Sequence, residues 1–87
     1  MKHAGQEALD KLADLLEDIR KQDSLKEKKR GVFYLKSAAF LHFHEDPGGL
    51  FADLRAGLTW ERLPVTTTAE RRRFLSRMRT VLKEASR

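Results

Sequence analysis

The chain has 87 residues, 40% of them apolar and 36% charged, with no cysteine and a formal net charge of +5. That length fits one domain (residues 1–87) with a single small core, and the missing cysteine excludes disulfide and thiolate chemistry. The first residues, Met1-Lys2-His3-Ala4-Gly5, lack the apolar core of a signal peptide. No apolar run approaches the roughly 18 residues of a membrane span, so a soluble, cytoplasmic protein is expected.

Residues 5–22 predict an amphipathic helix. Leu9, Leu12, Leu16 and Ile19 recur at three- and four-residue steps, with Ala8 and Leu15 flanking the stripe. Asp10, Asp14, Glu17 and Asp18 cover the outer side. Lys26 to Arg30 reads as a charged connector, and Gly31 releases the chain into strands.

The period then changes from 3.6 to 2, and residues 31–65 read as a four-stranded antiparallel meander. In the first strand Phe33 and Leu35 alternate with Val32, Tyr34 and Lys36, and Lys36-Ser37-Ala38 makes a turn. Across 39–46, Ala39, Leu41 and Phe43 face one way, and Phe40, His42, His44 and Asp46 the other. Pro47-Gly48-Gly49 is a compact turn, after which Leu50, Ala52 and Leu54 alternate with Phe51, Asp53 and Arg55. A fourth strand at 59–65 turns Leu63 and Val65 inward. Pro64 marks it as an edge, because proline cannot donate to a ladder.

Thr67 and Glu70 have the spacing of a capping box and open a helix over 67–86. Phe74, Met78, Val81, Leu82 and Ala85 form its apolar stripe, opposite Arg72, Arg79, Lys83 and Arg87. With one apolar stripe per helix, both helices are expected to pack on one face of the sheet. The fold class is α+β: a two-layer sandwich in the order α-β-β-β-β-α. Residues 66–87 hold seven basic residues against Glu70 and Glu84, whereas the first 65 residues balance 11 against 11. The whole basic excess sits on the last helix, which makes Arg72, Arg79, Lys83 and Arg87 the candidate contacts to nucleic acid.

If Leu41 and Phe43 meet the helices, then Tyr34, His42, His44, Asp46, Phe51, Asp53, Trp60 and Arg62 share the outer face. Aromatics mixed with charges on an uncovered sheet face mark a partner or ligand surface, for a homodimer or another protein. His42 and His44, two apart on one strand face, are also candidate metal ligands with Asp46 or Asp53, and candidate acid–base groups. Ser-His-Asp order, phosphate loop and His-Glu-x-x-His are all absent from the sequence, so no cofactor and no catalytic residue are assigned.

Val32 to Lys36, Ala38 to Asp46 and Leu50 to Arg55 resemble the hairpins of the small bacterial MmcQ/YjbR-type domain and of the related N-terminal domain of the TfoX competence regulators. These families follow a leading helix with a strand, a Gly/Lys turn, an aromatic-rich strand and a further short strand. The turn Lys36-Ser37-Ala38-Ala39 departs from them in lacking glycine, and the downstream Trp-Gly segment of the YjbR type is missing. The resemblance implies an α+β sheet domain with a DNA-associated role, and carries over no catalytic residue. The expected function is a non-enzymatic cytoplasmic binding module. The alternatives are a nucleic-acid accessory protein using the basic helix and a small metal- or ligand-dependent enzyme centred on His42 and His44.

Overall fold

Two periodicities in one chain require two layers, because a helical stripe and one side of a pleated sheet bury each other. In the computed structural model, which describes residues 2–86, the elements run β1 (Lys2–His3), α1 (Gln6–Lys11), α2 (Ala13–Arg20), β2 (Leu25–Lys29), β3 (Val32–Leu35), β4 (Ala38–Asp46), β5 (Gly49–Ala56), β6 (Thr59–Pro64) and α3 (Thr68–Ala85). The sheet is antiparallel in the order β2-β3-β4-β5-β6, and β1 pairs with β4. One core joins Leu9, Leu12, Leu16 and Ile19 of the leading helices, Phe33, Leu41, Phe43, Ala52 and Leu54 of the sheet, and Phe74, Met78 and Val81 of α3. The protein is thus α+β, with a C-terminal helix on an antiparallel sheet.

Four details differ from the sequence reading, the first being that β1, too short to show a period, joins β4 and with β2 makes six strands where four were expected. The connector at Lys26–Arg30 is largely a strand: β2 pairs with β3 through Leu25↔Leu35, Lys26↔Tyr34 and Glu27↔Phe33. Its alternation is hidden because the second inward position is a glutamate. Glu27 accepts from Arg20 Nε at 2.6 Å and Nη2 at 3.0 Å, and from the Gly31 amide at 2.9 Å, so its charge is satisfied against α2. Lysines on such an edge also discourage pairing with a foreign strand.

The predicted single helix over 5–22 is two helices. At Leu12 the amide bonds back to Leu9 at 3.1 Å, a tightened three-residue turn, and the stripe resumes with Leu15, Leu16 and Ile19 still buried.

Phe40, expected on the outer face with His42, lies in the core instead. Phe33 pairs with Leu41 but Tyr34 pairs with Ala39, so Phe40 is an extra residue in β4. This β-bulge lets Phe40 and Leu41, adjacent in sequence, both point inward, and it puts Ala39 beside Tyr34 on the outer side.

Gly31 is required where it stands. Its φ is +78°, and a Cβ there would lie 2.7 Å from Leu9 Cδ2. The capping box forms as expected: Thr67 Oγ1 accepts from the Glu70 amide at 3.1 Å, and Glu70 Oε1 accepts from the Thr67 amide at 2.9 Å.

Lys36 and Ser37 make a two-residue hairpin turn with φ of 51° and 71°. Positive φ at both central positions is the type I′ signature, which favours Asn-Gly and costs other residues about 1–2 kcal/mol each. Replacing the pair by Asn-Gly should therefore raise the free energy of unfolding by about 1 kcal/mol in denaturant titrations.

A second expectation concerns acid. The Arg20 guanidinium, helped by the Gly31 amide and the charge of Arg30, holds the Glu27 carboxyl below its ordinary value of 4.5 against the opposing effect of burial. A depressed carboxylate contributes stability that is complete above pH 4.5 and lost as pH falls through the folded-state value. Thermal melts between pH 7 and 3 should show Glu27→Gln less stable than the parent at neutral pH. The variant should also lose stability less steeply below pH 4.5.

Candidate functional site

Pairing across β4, β5 and β6 places side chains in transverse rows, because residues opposite one another in a ladder share a face. His42 stands opposite Asp53, and Asp53 opposite Arg62. His44 stands opposite Phe51, and Phe51 opposite Pro64. The core residues Leu41, Phe43, Ala52 and Leu54 alternate with these and point toward the helices, so the rows lie on the other face. On the remaining side of β4, β1 brings His3 opposite His44.

The three imidazoles form a cluster. His3 stacks on His44 with centroids 4.8 Å apart, His42 meets His44 edge-on at 4.9 Å, and His3 and His42 are 5.7 Å apart. Trp60 lies against His42 at 4.9 Å and is 44% exposed. One ring nitrogen from each histidine falls within 4.8 Å of the others.

Asp53 anchors the cluster. It is the buried charged residue of this face, 6% exposed, and Arg62 grips it with two bonds, Nε to Oδ1 at 2.7 Å and Nη2 to Oδ2 at 2.8 Å. That fork holds the Asp53 carboxyl below the ordinary aspartate value against the effect of burial, with the neighbouring imidazoles helping. Asp53 Oδ2 also lies 2.9 Å from His44 Nε2 and 4.0 Å from His42 Nδ1. Neither contact makes an aligned hydrogen bond, and both ring nitrogens are buried without a partner. Burial, reinforced by the charges of His44, His3 and Arg62 and opposed by that of Asp53, lowers the pKa of His42 from 6.5. His42 is therefore mainly neutral at neutral pH.

Of the residues singled out from sequence, His42, His44, Asp53, Trp60 and Arg62 come together, with Phe51 adjoining. Tyr34 is on the same face but apart, under the Lys28 ammonium at 4.6 Å from its ring centre. Asp46 does not join the histidines: its Oδ1 accepts from the Gly48 amide at 2.7 Å and fixes the turn. His3 was not anticipated. A two-residue strand has no periodicity to read, and the only clue was that the chain holds just three histidines.

On α3, two of the six basic residues are committed within the fold. Arg71 donates to the Val65 carbonyl at 2.8 Å, and Arg77 pairs with Glu61 at 2.9 Å. Arg72, Arg79 and Lys83 are exposed, and Arg87 lies outside the described residues. A separate cavity of about 650 Å³ lies between the hairpin turns and α3, lined by Phe40, Ala56, Val81, Arg55 and Arg77 among others. It shares no residue with the histidine cluster.

Comparison with family models, with curated proteins and with solved structures finds no match to this chain. No helix among the described residues is long and apolar enough to cross a membrane.

The Asp53–Arg62 fork yields a testable expectation. Arg62→Ala strands a buried carboxylate beside two half-buried imidazoles, so its melting temperature should drop clearly below that of Arg72→Ala, an exposed control. Equal melting temperatures would show that water replaces the guanidinium without loss.

Proposed function

We propose that the chain is a small non-enzymatic binding module whose working surface is the outer face of its sheet. The supporting observation is the composition of that face. The helices share their buried residues with the opposite side, yet this side holds an imidazole cluster, the buried Asp53 held by an exposed Arg62, Phe51 and a half-exposed Trp60. Clustered aromatic and imidazole surface that the chain leaves uncovered is typical of a surface that something else covers.

A second copy of the chain is the simplest occupant. Isologous dimers are the commonest soluble assemblies, and this face presents its buried acid already paired with a base, so two copies meet without like-charge repulsion. The edge strand β6 borders the face and carries Trp60, and the β5–β6 turn beside it exposes Leu58 at 93%. A nucleic-acid role through α3 is the alternative reading, for which Arg72, Arg79 and Lys83 stay exposed.

Light scattering across a concentration series should show a monomer–dimer equilibrium, with a shift in the emission of Trp60, the sole tryptophan. Trp60→Ala should leave a folded monomer. A chain that stays monomeric to its solubility limit would overturn the dimer, as would a Trp60→Ala variant that still dimerises.

A further inference from the structure

We infer that His3, His42 and His44 bind one divalent first-row transition ion of the zinc type, with the Asp53 carboxylate beside it. The inference names a ligand for the face proposed above as the working surface, and it does not require that the face dimerise.

Geometry comes first. Zinc–imidazole bonds of about 2.0–2.1 Å place tetrahedral ligand atoms about 3.3 Å apart. The three ring nitrogens lie within 4.8 Å of one another, and the two contacts to Asp53 Oδ2, at 2.9 and 4.0 Å, bracket that spacing. His42 and His44 are fixed by the pleat of a central strand. His3 is exposed on a two-residue strand, where its ring has room to adjust toward the other two.

The second observation is independent of spacing. His42 Nδ1 is buried with no hydrogen-bond partner, and His44 Nε2, likewise buried, has only the unaligned Asp53 carboxylate 2.9 Å away. A buried polar atom left unsatisfied costs about 1–3 kcal/mol, and a stack kept only for its shape would be served as well by phenyl rings. A cation that accepts both lone pairs removes that cost.

Charge and ligand type point the same way. The charged groups near the site are Asp53, already held by Arg62, and the Lys2–Glu45 pair beside β1. Imidazole donors without thiolate suit zinc, copper, nickel or cobalt, while magnesium and calcium require oxygen cages.

The test uses the full chain without a polyhistidine tag, stripped with chelator and dialysed against Zn²⁺ at concentrations where it is monomeric. One zinc per chain is expected by elemental analysis, with a tetrahedral visible spectrum for Co²⁺ and a change in Trp60 emission through His42. His3→Ala should weaken zinc binding by at least about tenfold. Because His3 is exposed at a strand end, circular dichroism of this variant should show an unchanged fold. His42→Ala and His44→Ala should each abolish stoichiometric binding. Magnesium should have no effect. Absence of stoichiometric zinc, zinc binding unaltered in His3→Ala, or an equal response to magnesium would each overturn the inference. The two proposals fail separately. Trp60→Ala abolishes the dimer and spares zinc, whereas a zinc-blind chain that still dimerises sinks only the metal site.

Discussion

The register between β4 and β5 is the constraint on which both faces of this protein depend. Leu41 opposite Leu54 and Phe43 opposite Ala52 supply the floor of the core, while His42 opposite Asp53 and His44 opposite Phe51 build the outer surface from the same strands. A slip of one residue would exchange the two sets, burying imidazoles under the helices and exposing leucine and phenylalanine. The cost of that exchange is shared by every contact the helices make, so the site inherits its precision from the core. The Asp46–Gly48 bond and the clamp of Thr66 Oγ1 on the Leu50 amide at 2.9 Å pin the register at the turn end of the hairpin.

Where each residue answers to one dominant force, the structure was legible in advance. The strands β3, β5 and β6 and the second half of β4 follow their alternation, α3 follows its stripe and its capping box, and Pro64 does fall on an edge strand. Legibility failed where a second requirement overrode the first. Glu27 occupies an inward position because Arg20 and the Gly31 amide satisfy it, which disguised β2 as a connector. Phe40 breaks the alternation of β4 through a bulge, and bulges follow no sequence rule as simple as a period of two. Leu12 interrupts a continuous apolar stripe without glycine or proline to announce it.

The outer face shows the same division. His42, His44, Asp53 and Arg62 were placed together by counting along strands, since their proximity is a consequence of pairing. Asp46 was counted correctly onto the strand but turns its carboxylate to the backbone of the next turn, a local bond that competes with any longer reach. His3 is separated in sequence from His44 by α1, α2, β2 and β3, and only the closure of the whole domain makes them neighbours. Long-range partners of this kind have no local pattern, and they are where a three-dimensional view adds most.

The bulge at Phe40 has a consequence for how the chain tolerates changes in length. With one residue more than its neighbour needs, β4 holds a spare position between Ala39 and Leu41. Loss of a residue there can be absorbed by straightening the strand, leaving Leu41, Phe43 and everything beyond them in phase. Loss of a residue after Leu41 has no such reserve and inverts the rest of the strand. The two halves of β4, alike in secondary structure, therefore differ in how far natural variation in length can reach them, and the half that carries the histidines is the one held fixed.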